Sequence, residues 1–475
     1  MNSVKPLQWV AIGLGSILAI YFVYSHLYYF GNITFLGGIV LLEIIVACLW
    51  KYDRRFFVLL MIAFVWAGLH VPMQGAWMSA RWVVLSAGAA VGFIAWMNAP
   101  RRPFGSLHLV ALFCICTALV SATVSPLLQM ASLKASSLLL LFLYCASGAR
   151  LAVLGREDRF FHGLLWGSEI AVYVTAICYF GLGESIWGNP NSLGASMSVG
   201  VFPILLWGWF TSDIPGVKLR RMAALLLCAY LVSFSGARAG MVSAALVTLV
   251  FCVCLNQYKL LVKTAALLLV LIAVTGVFAP GKLETKLGDL KDAVLYKGHK
   301  EAGVMGSRLT PWEKSIAIIK EHPLFGTGYG TSPTGTAVDP GSLGTVSSEA
   351  TTDREHGSSY MTIAEWVGLL GGVPFVVLLA LTLSNVWKVC VWMRRARDPR
   401  HYSIPLAMVV VAGLAHATFE DWLFAVGYYL CVYFWFCVFL LPDLIPDAVN
   451  VPGTVVVFRT SRRSPAGFGA VVPNR

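Results

Sequence analysis

Apolar runs close to the length of a membrane span recur along this chain and limit its fold more than any other feature. About 20 apolar residues in a helix cross the ~30 Å hydrocarbon core of a bilayer. Lipid offers no hydrogen-bond partner to an open sheet edge, so such segments are expected to be helices. The chain is 58% hydrophobic and only 12% charged, whereas soluble proteins carry about 25% charged residues. The sequence therefore predicts an all-α polytopic membrane protein with about 12–14 transmembrane helices.

The predicted spans divide the chain into four parts. Residues 1–279 form the N-terminal transmembrane helices, 280–358 one large polar loop with short helices, 359–442 the C-terminal transmembrane helices, and 443–475 a disordered tail. The individual spans are predicted at 7–25, 33–50, 56–73, 81–99, 107–125, 128–149, 161–181, 195–212, 222–236, 239–256, 260–279, 359–384, 403–420 and 424–442.

The distribution of Lys and Arg predicts how these helices are oriented. With the N-terminus in the cytoplasm, the inner segments carry most of the 35 basic residues, and the short outer loops carry only Arg81 and Arg238. Both termini are therefore expected in the cytoplasm and the 280–358 loop on the outer face. The net charge of +12 reflects anchoring to the bilayer surface and does not indicate nucleic-acid binding.

The polar loop contains its own helix signal. Thr310 and Glu313 have the spacing of a capping box, with Pro311 at the first helical position. Trp312, Ile316 and Ile319 are predicted to share one face, and the helix is predicted to end at His322-Pro323. Just upstream, Arg308 would lie near the positive end of this helix, where a phosphate group is well placed. A solvated helix with a surface arginine is the alternative.

Two shorter motifs lie at predicted outer ends of spans. Asn189 and Asn191, within Gly188–Gly194, could hydrogen-bond sugar hydroxyls, although an ordinary turn explains the same residues. Arg238, within Ser233–Gly240, separates two apolar runs. A charged residue at membrane depth usually faces a cavity or a partner, whereas an interfacial arginine can also extend to the lipid headgroups.

The end of the polar loop offers candidates for a general base. His356 has an ordinary pKa of about 6.5 and accepts a proton near neutral pH. Glu355 and Glu349 could orient this imidazole or replace it. The sequence shows no metal-ligand constellation and no phosphate-binding loop of the nucleotide type, so neither a metal nor ATP is expected.

Several ionisable residues fall inside or at the ends of predicted spans. Each requires a partner or a polar cavity, because an isolated charge in lipid is costly. Glu420 and Asp421 follow His416 at the outer end of a span and could line the same site as the polar loop. The ionisable residues that lie inside the predicted spans are Glu43, Lys134, Glu169 and Glu365.

Four motifs in this order resemble the O-antigen ligase/polymerase family of bacterial inner-membrane glycosyltransferases. They are GNPNSLG at 188–194, SFSGARAG at 233–240, SRLTPWEKSIAIIKEHPLFGTGYG at 307–330 and EHGSSYMTIAEWVGLLG at 355–371. The family's His-Asn pair reads here as His356-Gly357-Ser358-Ser359: alignment on His356 leaves the Asn missing, and alignment on Ser358-Ser359-Tyr360 displaces the His. The resemblance covers roughly residues 180–375, and the N-terminal spans match only as hydrophobic helices.

The resemblance implies glycan transfer at the periplasmic face of the inner membrane. The donor would be a glycan on a polyprenyl diphosphate, and the acceptor a sugar hydroxyl on lipid A-core or on another lipid-linked glycan. Neither a nucleotide nor a metal would be needed, because the glycosyl-diphosphate bond carries the energy. Arg238 and Arg308 would bind the diphosphate, and His356 or one of the glutamates would take the hydroxyl proton.

Two other function classes remain open on the sequence. A polysaccharide transporter would be expected to have interrupted helices near the midplane and an internal repeat. No convincing repeat is visible, and the polar residues are concentrated on one face. A non-catalytic assembly partner would not require the two arginines.

Overall fold

The computed structural model describes residues 53–69, 74–98, 104–183, 186–259, 261–262, 306–333, 350–351 and 355–446. The predicted spans 7–25 and 33–50, nearly all of 260–279, and most of the tail lie outside these residues. Glu43 and Glu349 lie outside them as well.

The described residues are mostly helical, and every predicted span that falls among them is helical over most of its length. The apolar composition of these segments leaves their backbone polar groups no partner other than the helix itself. In chain order the helices are α1 (Asp53–Gly68), α2 (Gln74–Asn98), α3 (Ser106–Ala122), α4 (Leu128–Ala146), α5 (Gly148–Val153), α6 (Glu157–Ala176), α7 (Pro190–Ala195), α8 (Phe202–Phe210), α9 (Pro215–Phe234), α10 (Arg238–Cys254), α11 (Gly306–Glu321), α12 (Ser359–Ala396), α13 (Ser403–Ala417) and α14 (Tyr429–Leu444). Two π-helical stretches, Ile177–Gly181 and Ser196–Val201, continue α6 and join α7 to α8.

Five helical segments in the described part of the chain are long and apolar enough to cross a membrane. They are Trp77–Asn98, Leu128–Val153, Glu157–Gly181, Pro190–Phe210 and Ser359–Ala396, and shorter apolar helices accompany them. These helices confirm an all-α polytopic membrane protein.

Helix α14, the last helix among the described residues, lies at the centre of the bundle. Its residues from Tyr429 to Leu441 are all buried, and the Trp435, Phe434 and Phe436 side chains have no exposed surface. A helix that is apolar on every face is stable only when other helices surround it. The connection between α13 and α14, residues 418–428, therefore emerges from the middle of the bundle.

Helix α12 is broken near its start, at Gly368. This glycine has φ +69° and ψ −177°, a conformation that only glycine adopts readily. Backbone N–H groups of the preceding loop bond to the opened turn: Thr327 donates to the Glu365 carbonyl at 3.0 Å, and Gly328 to the Trp366 carbonyl at 3.1 Å. The loop 323–331 thus replaces hydrogen bonds that the helix has lost.

The same loop also contacts α4. Lys134 Nζ donates to the Gly330 carbonyl at 2.7 Å, and a β-carbon at Gly330 would lie 2.3 Å from Lys134 Cδ. After the loop, strand β1 (Ser332–Pro333) pairs antiparallel with β2 (Ala350–Thr351). The loop 323–331 is therefore held between α4 and the break in α12.

The ionisable residues inside the described spans have the partners that the sequence analysis required. Lys134 bonds to Gly330, and Glu169 lies 2.8 Å from Arg220 and 3.5 Å from Arg221. Glu365 is also hydrogen-bonded, within the site described below.

The boundaries of α11 differ from those predicted. The helix begins at Gly306, so Thr310 is not its cap and Pro311 lies inside it. Pro311 has no N–H, so the helix lacks one intrahelical hydrogen bond near its start. Ile316 is 44% exposed, whereas Ser315 is fully buried. The predicted end before His322-Pro323 is confirmed.

Candidate active site

The candidate site forms where three separate segments meet. Helix α11 contributes Arg308 from its first turn, the residues before α12 contribute Glu355 and His356, and the α13–α14 connection contributes Glu420 and Asp421. All five residues are candidates by sequence, and the fold brings them together.

Arg308 binds two carboxylates from different segments. Its Nη1 donates to Glu355 Oε1 at 2.7 Å and its Nη2 donates to Glu420 Oε1 at 2.5 Å. The Arg308 side chain is 13% exposed, compared with 70% for Glu355 and 21% for Glu420. A guanidinium group that holds two carboxylates has the geometry to bind two oxygens of a phosphate instead.

Gly357 explains why the backbone can pass so close to this arginine. It has φ +68°, and a β-carbon at this position would lie 3.1 Å from Arg308 Cδ. The Gly357 carbonyl accepts a hydrogen bond from Trp312 Nε1 at 3.2 Å. The glycine thus stands beside His356 in a left-handed conformation with little space for a side chain.

His356 lies between two carboxyl groups. Its Nδ1 and its backbone N–H lie 3.3 Å and 3.0 Å from Asp421 Oδ2, and its Nε2 lies 3.3 Å from Glu365 Oε1. Nε2 is also 3.0 Å from Ser332 Oγ, and that hydroxyl donates to Glu365 Oε1 at 2.7 Å. The imidazole and the Trp366 ring form a T-shaped contact, with centroids 5.7 Å apart.

The two carboxyl groups set the charge preference of this imidazole. Burial disfavours the charged form, but the hydrogen bonds to Asp421 and Glu365 outweigh burial and raise the pKa of His356. The pKa of Asp421 is lowered: burial acts to raise it, but the hydrogen bonds from the His356 ring and backbone N–H prevail. Both shifts widen the pH range in which His356 and Asp421 form an imidazolium–carboxylate pair.

Two further contacts fix the α13–α14 connection above the bundle. Ser359, at the start of α12, donates to the Glu420 carbonyl through its backbone N–H at 3.0 Å and through Oγ at 2.7 Å. Arg81, predicted in a short outer loop, lies within α2 and donates to the Gly427 carbonyl at 2.7 Å. These hydrogen bonds therefore fix the connection that carries Glu420 and Asp421.

The remaining two motifs form a separate contact. A β-carbon at Gly194 would lie 2.3 Å from Ala237 Cβ, so α7 packs directly on the turn before Arg238. Arg238 is the first residue of α10 and is half-buried, and α10 packs along α13. The 188–194 and 233–240 motifs thus meet beside the helix that leads to the 418–428 connection.

Asn189 has a defined structural role. It caps α7, with its Oδ1 accepting the Ser192 N–H at 2.7 Å. This is the turn former that the sequence analysis gave as the alternative to sugar binding. Asn191 follows in the first turn of α7 and is half-buried.

Sequence reasoning missed two features of this site. Ser332 was not considered, because a serine after a glycine-rich loop has no distinguishing pattern. Glu365 was recognised only as a charged residue inside a span. It lies three residues before Gly368, where the break in α12 receives the loop 323–331 that leads to Ser332, the hydrogen-bond partner of Glu365.

Comparison with protein families matches residues 223–376 to the family described as O-antigen ligase. This segment contains Arg238, Arg308, His356 and Glu365, whereas Glu420 and Asp421 lie beyond it. Comparison with curated proteins returned no match.

Proposed function

We propose that this chain, which belongs to the O-antigen ligase family, transfers a glycan from a polyprenyl diphosphate to a sugar hydroxyl at the site around Arg308 and His356. The observation that carries the proposal is the convergence of one guanidinium, one imidazole and several carboxylates at the ends of apolar helices. The matched segment supplies the guanidinium and the imidazole.

The leaving diphosphate would bind Arg308. Glu355 is 70% exposed, so it can leave the guanidinium and return to water at little cost. The diphosphate carries more charge than the carboxylate it replaces, and guanidinium forms a two-pronged contact with phosphate oxygens. Arg238 is proposed as the second diphosphate ligand, because its motif packs on α7, and Ser192 of α7 is hydrogen-bonded to Tyr428 at the end of the 418–428 connection.

The acceptor hydroxyl requires a group that takes its proton as the new bond forms. His356 is proposed for this role, with Glu355 and Glu349 as the alternatives. As the hydroxyl oxygen attacks the anomeric carbon, the bond to the diphosphate breaks and its electron pair leaves with the phosphate oxygen. Asn191 and the side-chain amide nitrogen of Asn189 are proposed to contact the glycan.

The site is proposed to face the periplasm of a bacterial inner membrane, with both termini in the cytoplasm. The distribution of Lys and Arg supports this orientation. The acceptor decides between two reactions at the same site: lipid A-core would make the protein a ligase, and a second lipid-linked glycan would make it a polymerase.

Polysaccharide transport is disfavoured by the way in which the broken helix is packed. A transporter uses an interrupted helix to bind its cargo. Here the opened carbonyls of Glu365 and Trp366 already accept hydrogen bonds from Thr327 and Gly328. The break in α12 therefore holds the loop 323–331 in place.

Reconstitution of the purified protein tests the proposal. It is supplied with a polyprenyl-diphosphate oligosaccharide, with and without lipid A-core. Glycosylated lipid A-core indicates a ligase, and longer lipid-linked chains without it indicate a polymerase. If neither product forms while the same proteoliposomes move the donor across the bilayer, transfer is excluded and transport is the function.

A further inference from the structure

The buried carboxyl of Glu365 has no part in the reaction as described so far. Its side chain is completely buried, while that of His356 is 4% exposed and that of Asp421 is 31% exposed. The three groups and Ser332 form one hydrogen-bonded series that runs from the surface into the protein. Only the Asp421 end of this series is open to water.

The hydrogen bonds of Ser332 assign the proton on one imidazole nitrogen. A serine hydroxyl has a single hydrogen, and here it is donated to Glu365 Oε1 at 2.7 Å. Toward His356 Nε2, at 3.0 Å, Ser332 Oγ can then only accept. With Glu365 ionised, Nε2 therefore carries a hydrogen, and Nδ1 is the nitrogen that exchanges protons.

We propose that Glu365, acting through Ser332, is a positioning residue that keeps Nε2 of His356 protonated and so makes Nδ1, on the Asp421 side, the atom that accepts the hydroxyl proton. This inference rests on the proposed function. In the reaction the hydroxyl O–H bond breaks and its proton moves to Nδ1. The oxygen forms the new bond to the anomeric carbon. The bond between that carbon and the diphosphate oxygen breaks, and the diphosphate departs with its electron pair.

The charges around His356 are consistent with Nδ1 as the proton acceptor and Glu365 as the positioning residue. Asp421 Oδ2, 3.3 Å from Nδ1, stabilises the imidazolium that forms. The charge of Arg308 nearby is offset by its two carboxylate partners. The charged groups that surround His356 thus come from four segments: Arg308 from α11, Glu355 from the residues before α12, Glu365 from α12, and Glu420 and Asp421 from the α13–α14 connection.

The pH dependence of transfer separates this role from a structural one. Nδ1 accepts a proton only when it is free of one, so the rate is expected to fall on acidification, with a midpoint above the ordinary histidine value of about 6.5. Loss of a neighbouring carboxylate moves such a midpoint by about one pH unit or more. Glu365→Gln and Asp421→Asn are therefore each expected to move it to lower pH.

The matched control is Asp213→Asn, which neutralises an exposed carboxylate paired with Arg400 and is expected to leave the midpoint unchanged. A Glu365→Gln protein that transfers more slowly at every pH, with the wild-type midpoint, would show that Glu365 only supports the fold. That result would overturn the positioning role while leaving glycan transfer intact.

A spectroscopic measurement provides a readout that does not depend on transfer. In protein labelled with ¹⁵N-histidine, the His356 signals are assigned by their loss in His356→Gln. Both ring nitrogens are expected to be protonated at pH 6.5 in the wild type, and Nδ1 is expected to lose its proton at lower pH in Asp421→Asn. A wild-type ring that carries its hydrogen on Nδ1 alone once it has become neutral would overturn the assignment. A ring that keeps its hydrogen on Nε2, in a protein that transfers no glycan, would overturn only the proposed function.

Discussion

Nη2 of Arg308 lies 2.5 Å from Oε1 of Glu420, although the two residues are 112 positions apart in the chain. This contact joins the polar loop to the connection that emerges from the centre of the bundle. With Glu355 on the other nitrogen, it holds the guanidinium in place before any substrate arrives. In the proposed reaction, a diphosphate would meet an arginine that is already oriented.

Replacement of this arginine tests its role in the leaving-group site. We expect Arg308→Ala to lower the rate of transfer by about 10²-fold or more, as loss of a charge-stabilising contact typically does. Arg308→Lys should recover only part of the rate, because an ammonium group cannot bind two oxygens in a fork. The transfer rate at equal protein amount is measured, with Arg400→Ala, which removes an exposed arginine paired with Asp213, as the control. Equal rates for Arg308→Ala and Arg400→Ala would rule out the assignment.

The second proposed diphosphate ligand is tested in the same assay. Arg238→Ala is expected to reduce transfer by about 10²-fold and to weaken donor binding. The comparison is with Arg395→Ala, a basic residue in the last turn of α12, at the predicted cytoplasmic end. Unchanged donor affinity and rate in Arg238→Ala would limit this arginine to the α7–α10 contact.

Gly357 tests the requirement for close backbone approach to Arg308. Gly357→Ala forces a side chain into a left-handed conformation beside Arg308 Cδ, at a cost of about 1–2 kcal/mol. We expect a lower melting temperature and weaker donor binding. Gly357→Asn should be milder, because asparagine tolerates this conformation better than alanine. The control is Gly216→Ala, because a β-carbon at Gly216 meets no atom within 4 Å. If Gly357→Ala had the same melting temperature and donor affinity as Gly216→Ala, the requirement for close backbone approach would be contradicted.

The ion pair between His356 and Asp421 predicts a pH window of stability. The pKa of His356 is raised, so its contribution is complete below the unfolded value of about 6.5 and is lost as the pH rises through the folded value. The pKa of Asp421 is lowered, so its contribution is complete above about 3.9 and is lost as the pH falls through the folded value. The difference in melting temperature between wild type and Asp421→Asn should be largest between about pH 4 and 6.5. A difference that keeps growing above about pH 8 would contradict the pairing.

The proposed orientation is tested with single cysteines that react with a membrane-impermeant reagent. A cysteine at Asp339 is expected to react from the outside of intact inner-membrane preparations, and one at Arg463 only after the membrane is opened. The reason is the strong excess of Lys and Arg in the predicted inner segments. Labelling of Asp339 from the cytoplasmic side would place the site in the wrong compartment for a periplasmic glycan.

The sequence by itself determined the architecture, because hydrocarbon leaves a long apolar segment only one way to satisfy its backbone. It also singled out Arg308, His356, Glu420 and Asp421, since polar groups at the ends of apolar helices are conspicuous. It did not determine the start of α11, where tertiary contacts of Arg308 and Trp312 accompany an additional turn before Pro311.

Only the tertiary structure decided which of these groups meet. Glu420 reaches Arg308 because α14 occupies the centre of the bundle and carries the preceding connection over the polar loop. Ser332 reaches Glu365 because α12 breaks at Gly368 and the loop 323–331, which leads to Ser332, bonds to the opened turn. Both contacts depend on packing between segments far apart in sequence, and local patterns of residues carry no information about such packing.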